Sequence, residues 1–179
     1  MDKPTTLKKG AYNGGLPDKA IEIINKHIHD EAYSSQIYLQ MAYWCDVKGY
    51  TGAAKFFRKH AEEERAHMIK LYDYMADKNV IPTTPTIEAP KKEYADLYDV
   101  LESALQHEFD VTYSYEVDAQ RLLEIPCHQT FQLFQWFIKE QVEEESLYQT
   151  IVDRYMILMK GGITGTGLLE FDEYLEELV

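Results

Sequence analysis

The segment from His60 to Met68 contains the residues of this chain that are best suited to bind a metal ion. It holds three adjacent glutamates, at positions 62 to 64, and a histidine at position 67. Residues three apart lie on one face of an α-helix, so Glu64 and His67 can bind the same ion while Glu63 points slightly to one side. A single Glu-x-x-His pair is also common on solvated helix faces, so other parts of the chain must decide between the two interpretations.

The composition is that of one acidic globular domain. The chain has 179 residues, of which 45% are hydrophobic, and this is enough for a full core without disulfide bonds. A net charge of -13 argues against nucleic acid as a partner and favours cations. Cys45 and Cys127 form no Cys-x-x-Cys pair, and no apolar run could serve as a signal peptide or membrane span, so we predict a cytoplasmic protein. Residues 1 to 16 are predicted to form a flexible arm, and residues 17 to 179 a single domain.

Apolar residues that recur at intervals of three and four predict four long helices. The first runs from Asp18 to about Lys48, and the second begins at Thr51, which can cap it, and continues past Tyr74. The third runs from about Glu93 to Leu123 and the fourth from near Cys127 to Gly161. A short amphipathic segment, Thr166 to Leu178, follows.

The connections between these helices predict how they pack. Gly49 and Tyr50 allow only a tight turn between the first two helices, and a similarly short link containing Pro126 joins the last two. The segment from Ile81 to Pro90 contains three prolines and is predicted to form an extended crossover. Two tight turns and one long crossover describe an all-α, four-helix bundle built from two antiparallel pairs.

Polar residues interrupt the apolar stripe near the middle of each helix. They are Glu31 on the first helix, Glu64 and His67 on the second, Glu108 on the third, and Gln141 and Glu144 on the fourth. Antiparallel helices joined by tight turns bring their midpoints to the same height, so we expect these groups to converge inside the bundle. An unpaired buried carboxylate is costly, and only His67, with Arg65, supplies positive charge at that level.

Two divalent metal ions would neutralise the four carboxylates of this set. Hard oxygen donors with a single imidazole favour iron or manganese over copper, and we expect iron. In the competing interpretation one or more helices are rotated and the glutamates face solvent. That rotation would expose the phenylalanine and leucine stripes, which argues against it.

Four motifs resemble those of the ferritin superfamily, and more closely those of bacterial-type non-haem ferritins. The motifs are EAYSSQIY at residues 31 to 38, EERAH at 63 to 67, HE at 107 to 108 and EQVEE at 140 to 144. The resemblance covers residues 17 to 178 and implies a ferritin-like bundle with a short fifth helix. It also implies a homo-oligomeric shell of about 24 subunits.

The resemblance further implies the ligands of a di-iron ferroxidase centre. Glu31, Glu64 and His67 would surround the first iron ion. Glu64 would bridge to a second iron ion held by Glu108 and Glu144.

Further residues take supporting roles by the same resemblance. Gln141 would lie close to the second iron ion or its bound oxygen. Tyr38 matches a family tyrosine that can donate an electron, although a core tyrosine hydrogen-bonded to a carboxylate is equally compatible. His60 is not assigned to a metal ion. A third iron position would be formed by Glu63, Glu140, Glu143 and Glu144.

The implied activity is that of a ferroxidase involved in iron storage. The protein would oxidise Fe(II) to Fe(III) with dioxygen or hydrogen peroxide and store the product as a ferric oxide mineral. Arg65 stands where bacterioferritins have the haem-binding methionine, so haem is not expected. Two alternatives remain open, namely a di-iron oxidase or peroxidase that does not store iron, and a metal-free structural bundle.

Overall fold

Five helices make up the computed structural model, which describes residues 15–162 and 164–179. Their bounds are α1 Asp18–Lys48, α2 Thr51–Asp77, α3 Leu97–Leu123, α4 His128–Lys160 and α5 Gly165–Glu177. No strand occurs within the described ranges. The predicted N-terminal arm falls almost entirely outside them, because residues 1 to 14 are not described. None of the described helices is long and apolar enough to cross a membrane.

The turn between α1 and α2 depends on a glycine in the left-handed region. Gly49 has φ of 89°, a conformation that is costly for residues with a Cβ atom. The backbone N–H of Tyr50 donates to the carbonyl oxygen of Cys45 at 2.9 Å, which closes the end of α1. The chain therefore reverses within two residues, as the sequence predicted.

The predicted cap of α2 was wrong. Thr51 is the first helical residue rather than the cap, and Tyr50 at the cap position makes no side-chain capping bond. Instead the carboxylate of Asp172, on α5, accepts hydrogen bonds from the N–H groups of Gly52 at 2.9 Å and Ala53 at 2.8 Å. A distant residue satisfies the N terminus of α2, and this contact anchors α5 against the bundle.

The third helix begins four residues later than predicted, at Leu97 rather than Glu93. Asp96 ends the extended segment and caps α3, because its side chain accepts a hydrogen bond from the N–H of Asp99 at 3.0 Å. The carboxylate of Asp99 in turn accepts from the N–H of Ala95 at 2.9 Å. These reciprocal bonds favour a helix start at Leu97 over one further upstream.

The helices pack as two antiparallel pairs, α1 with α2 and α3 with α4, and α5 packs against α2. Glu31 on α1 contacts Tyr115 on α3, and Tyr38, later on α1, contacts Glu108, earlier on α3. The helices α1 and α3 are therefore also antiparallel. This arrangement confirms the predicted four-helix bundle with a short fifth helix.

Among the described residues the core forms two apolar clusters. One includes Phe57, Tyr148 and Phe171 near α5, and the other includes Ile24 and Phe134. The buried polar side chains at the middle of the four long helices lie between these clusters. The apolar ends of the bundle therefore hold the polar layer in place.

Candidate metal centre

All six of the predicted central residues lie inside the bundle. Glu31, Glu64, Glu108 and Gln141 are 1% to 4% exposed, and His67 and Glu144 are partly buried. The interpretation with rotated helices is therefore wrong. Arg65, which the sequence placed at the same level, is exposed and supplies no buried charge.

One group of possible metal ligands joins α1 to α2. A ligand atom from each of Glu31, Glu64 and His67 lies within 4.8 Å of the others. Nδ1 of His67 lies 3.3 Å from Oε2 of Glu64 and 3.7 Å from Oε2 of Glu31. Glu64 and His67 are neighbours on one helical face, and the antiparallel pairing of α1 with α2 brings Glu31 to them.

The charges in this group are coupled. Burial opposes the charge on His67, but its bonds to Glu31 and Glu64 outweigh burial and raise its pKa to about 10. Burial opposes ionisation of Glu31 too, yet its bonds with His67 and Glu64 leave its pKa lowered. Burial, together with the negative charge of Glu31, raises the pKa of Glu64 well above its usual value. Without an ion, the imidazolium of His67 therefore balances the carboxylate of Glu31 while Glu64 keeps its proton, and a bound cation could take the place of these protons.

A second group of possible ligands joins α2 to α4. Ligand atoms of His60, Glu63 and Glu144 lie within 4.8 Å of one another. Nδ1 of His60 is 3.4 Å from Oε2 of Glu63 and 3.6 Å from Oε2 of Glu144. Both His60 Nδ1 and Glu144 Oε2 are buried and have no hydrogen-bond partner among the described residues. Two orphaned buried polar atoms that face each other fit an ion between them.

The protonation states of the second group also suit a cation. Burial lowers the pKa of His60 to about 3, so the imidazole is neutral and keeps a lone pair for a metal ion. Burial raises the pKa of Glu144 to about 7, and Glu63 contributes in the same direction. Sequence reasoning had left His60 unassigned. Its position four residues before Glu64 and seven before His67, on the same helical face, was the available signal.

The structure brings together only part of the predicted third iron position. Glu63 and Glu144 belong to the group just described, whereas Glu143 is exposed and Glu140 is half-buried. Glu140 lines an open groove between α2 and α4 together with Glu63 and His67. The groove connects the surface with the first group of ligands.

Glu108 belongs to neither group, and both of its oxygen atoms have protein partners. The hydroxyl of Tyr38 donates to Oε1, and Nε2 of Gln141 donates to Oε2 at 2.8 Å. Burial raises the pKa of Glu108 to about 8. Tyr38 is thus hydrogen-bonded to the carboxyl group of Glu108. This contact agrees with the structural role that the sequence predicted as an alternative to electron donation.

Comparisons with known proteins agree with this geometry. A sequence model of the family described as Ferritin-like domain matches residues 21–156. The chain is 36% identical over 163 residues to the bacterial non-heme ferritin of Escherichia coli O6:H1, with 91% of this chain and 97% of the relative covered. It is 31% identical to the bacterial non-heme ferritin of Campylobacter jejuni, with 91% and 96% covered.

Solved structures show the same likeness. The open pore ferritin from the hyperthermophilic archaeon Archaeoglobus fulgidus superposes with a TM-score of 0.86 at 27% identity, and 91% of this chain and 98% of that chain are covered. These matches confirm the resemblance predicted from the four motifs.

Proposed function

Since the chain belongs to the ferritin-like domain family, we propose that it oxidises Fe(II) at the candidate metal centre and stores the product as a ferric mineral. The observation that carries this proposal is the pair of ligand groups, Glu31 with Glu64 and His67, and His60 with Glu63 and Glu144. The two groups share α2 and lie next to each other in the buried polar layer. Iron is the substrate of the reaction that we propose.

The first Fe(II) ion would be held by Glu31, Glu64 and His67. The distances of 3.3 Å and 3.7 Å between the ligand atoms are short enough for all three to reach one ion. Binding a divalent cation would allow Glu64 to ionise beside Glu31, because the cation offsets the repulsion between the two buried carboxylates. It would also release the proton that His67 now shares with them.

The second Fe(II) ion would be bridged by Glu64 and held by Glu108 and Glu144. This assignment requires Glu108 to exchange one of its present hydrogen bonds for a metal bond, and Gln141 remains beside it to orient the carboxylate. Two Fe(II) ions then give one electron each to dioxygen. With two protons the products are two Fe(III) ions and hydrogen peroxide, which can itself serve as an oxidant.

The group of His60, Glu63 and Glu144 would form a third iron position, with Glu140 and Glu143 on the path outward. Glu144 belongs to both the second and the third positions, so an ion can pass from one to the other without losing all of its ligands. The groove lined by Glu63 and Glu140 offers the exit. Carboxylates suit Fe(III), which is a hard ion.

Storage requires a closed shell, and the surface of the subunit supports assembly. Several large apolar side chains are exposed in the isolated chain, including Val47 at 84%, Tyr113 at 72% and Ile157 at 67%. Contacts between subunits would remove them from water. We propose a homo-oligomeric shell.

Aerobic addition of Fe(II) to the purified protein tests the proposal. The wild type should develop the near-ultraviolet absorbance of Fe(III), and Glu64→Ala should lose most of the initial rate because it removes the shared ligand. Glu62→Ala is the matched control, since Glu62 is exposed on the same helix. If all three proteins behave alike, the site is wrong, and if none of them oxidises Fe(II) faster than buffer alone, a metal-free structural bundle becomes the better interpretation.

Native mass and iron content after loading separate storage from turnover. A large assembly that retains many iron ions per subunit supports storage. A small particle that oxidises Fe(II) but releases all of it would instead indicate an oxidase or peroxidase of the same superfamily.

A further inference from the structure

Two buried tyrosines bind two central glutamates in a reciprocal pattern. The hydroxyl of Tyr38 on α1 donates to Oε1 of Glu108 on α3. The hydroxyl of Tyr115 on α3 donates to Oε1 of Glu31 on α1. In each helix the tyrosine lies seven residues after the glutamate, and because α1 and α3 are antiparallel the two bonds cross between the same helices. Tyr115 is therefore the counterpart of Tyr38.

The hydrogen bond from Tyr115 gives the two oxygen atoms of Glu31 different partners. Oε1 is held by the tyrosine hydroxyl, whereas Oε2 faces Nδ1 of His67 at 3.7 Å, on the side of the first ligand group. Glu108 differs, since Tyr38 and Gln141 occupy both of its oxygens. Glu31 thus keeps one oxygen directed toward the position of the metal ion.

The ring of Tyr115 is itself fixed. It is 1% exposed, and it stacks on His27 with ring centroids 4.1 Å apart and on Phe137 with centroids 4.8 Å apart. Nε2 of His27 lies 3.0 Å from Oδ2 of Asp118, a second buried carboxylate. A chain of contacts from Asp118 through His27 therefore holds the ring whose hydroxyl binds Glu31.

We infer that Tyr115 is a positioning residue of the metal centre, which holds Glu31 so that Oε2 alone binds the first Fe(II) ion. This inference rests on the proposed function. Without the hydroxyl, Glu31 would have a buried oxygen without its donor, and the carboxylate could rotate toward the space left by the hydroxyl. Partners that orient a metal ligand typically change metal affinity by about 10- to 100-fold, so we expect a loss of about tenfold at the first position.

Tyr115→Phe tests the inference because it removes one oxygen atom and keeps the stacked ring. Co(II), which is not oxidised by air under mild conditions, serves as the probe, and its visible absorption reports the geometry of its ligands. Tyr115→Phe should weaken binding at the first position by about tenfold and change the shape of the visible bands. Tyr155→Phe is the control, because Tyr155 is 6% exposed and lies in the other apolar cluster, near α5.

A double mutant distinguishes positioning from a general loss of packing. Glu31→Asp keeps the negative charge but withdraws the carboxylate from Tyr115 by one methylene. In the Glu31→Asp background, adding Tyr115→Phe should have no further effect on Co(II) affinity. Equal further weakening in both backgrounds would overturn the inference, as would a Tyr115→Phe protein that binds Co(II) like the wild type.

The two proposals fail in different ways. If the wild type neither binds Co(II) in the bundle nor oxidises Fe(II), the proposed function fails. If the wild type does both and the Tyr115→Phe protein matches it in affinity and in spectrum, only the role of Tyr115 is refuted. Thermal unfolding of Tyr115→Phe beside Tyr155→Phe shows whether the fold is retained. The comparison of Co(II) affinity between Glu31→Asp and the double mutant tests the inference independently of the single Tyr115→Phe variant.

Discussion

Nδ1 of His60 on α2 lies 3.6 Å from Oε2 of Glu144 on α4, and both atoms are buried without a hydrogen-bond partner among the described residues. Such an arrangement is unfavourable in the absence of an ion, because each buried polar atom has lost its water without forming a hydrogen bond in its place. A metal ion between the two would satisfy both.

His60→Ala should therefore reduce the number of divalent ions bound per subunit while leaving the first position intact. Calorimetric titration with Co(II) under nitrogen would measure the stoichiometry. His128→Ala is the matched control, because His128 is exposed at the first residue of α4. Unchanged stoichiometry in the His60→Ala protein would exclude His60 as a ligand.

The stability of the metal-free protein should fall as the pH rises from about 6.5 to about 8. Burial raises the pKa of Glu108 to about 8 and that of Glu144 to about 7. A carboxyl with a raised pKa in the folded state stabilises the fold while protonated, and this contribution is lost as the pH rises through the folded pKa. His67, whose pKa is about 10, acts in the same direction. The lowered pKa of His60, about 3, adds no opposing change above about 6.5.

Glu108→Gln should reduce that loss, because a neutral amide does not titrate. Urea unfolding with a chelator present, at a pH near 6.5 and again near 8, measures the difference between the two stabilities. The exposed Glu116→Gln on the same helix is the control. A wild-type stability that does not change between these pH values would contradict the burial of protonated Glu108.

Gly52→Ala should destabilise the protein by displacing α5. A Cβ atom at Gly52 would overlap the backbone carbonyl of Asp172, and that backbone cannot move without breaking the bonds that Asp172 accepts from the start of α2. Overpacking of this kind costs about 1 to 3 kcal/mol. Gly165→Ala, at a glycine with open space around the added Cβ, should leave stability unchanged or slightly increased. Thermal unfolding of the two variants makes the comparison, and equal melting temperatures would show that α5 does not depend on this contact.

Asp118→Asn should destabilise the bundle at neutral pH and have little effect in acid. The carboxylate of Asp118 accepts from Lys26 at 3.1 Å and from Arg121 at 2.8 Å, and it lies 3.0 Å from His27. Burial opposes its ionisation, but the bonds from His27 and Lys26 outweigh burial and lower its pKa. The amide of the substituted side chain would turn an N–H toward groups that now donate to the carboxylate, and leaving a buried hydrogen-bonding group unsatisfied costs about 1 to 3 kcal/mol.

The sign of the pH dependence follows from that lowered pKa. The stabilisation is present above the unfolded pKa of about 4 and is lost as the pH falls toward the folded value. The free energy of unfolding of Asp118→Asn and of wild type should be measured at pH 7 and at the lowest pH where the wild type still folds. The difference between the two proteins should be smaller at the lower pH. Asp110→Asn, an exposed change on the same helix, should be neutral at both. A constant difference between Asp118→Asn and wild type would indicate a packing effect instead.

The sequence by itself determined the fold class and the central residues. The recurrence of apolar residues at three and four positions, the three prolines of the crossover and Gly49 were enough to predict four helices and their pairing, because these signals are local. The same periodicity placed Glu31, Glu64 and Glu108 on inward faces. The four motifs are sufficient to identify the family.

Helix boundaries that depend on distant residues cannot be predicted from local sequence patterns. The cap of α2 comes from Asp172, which is 120 residues away along the chain, so Thr51 was assigned a role that the tertiary structure gives to another helix. The start of α3 was misplaced for a local reason, since two aspartates bond to the backbone around Ala95 and compete with the helix.

Only the tertiary structure decided how the central side chains pair. Periodicity places a residue on a face, but it does not say which atom of another helix that residue meets. The contact of His60 with Glu144, and the bond from Tyr115 to Glu31, each join helices that are far apart in sequence. These contacts depend on the rotation and height of one helix relative to another, which packing of the two apolar clusters sets and which no single helix encodes.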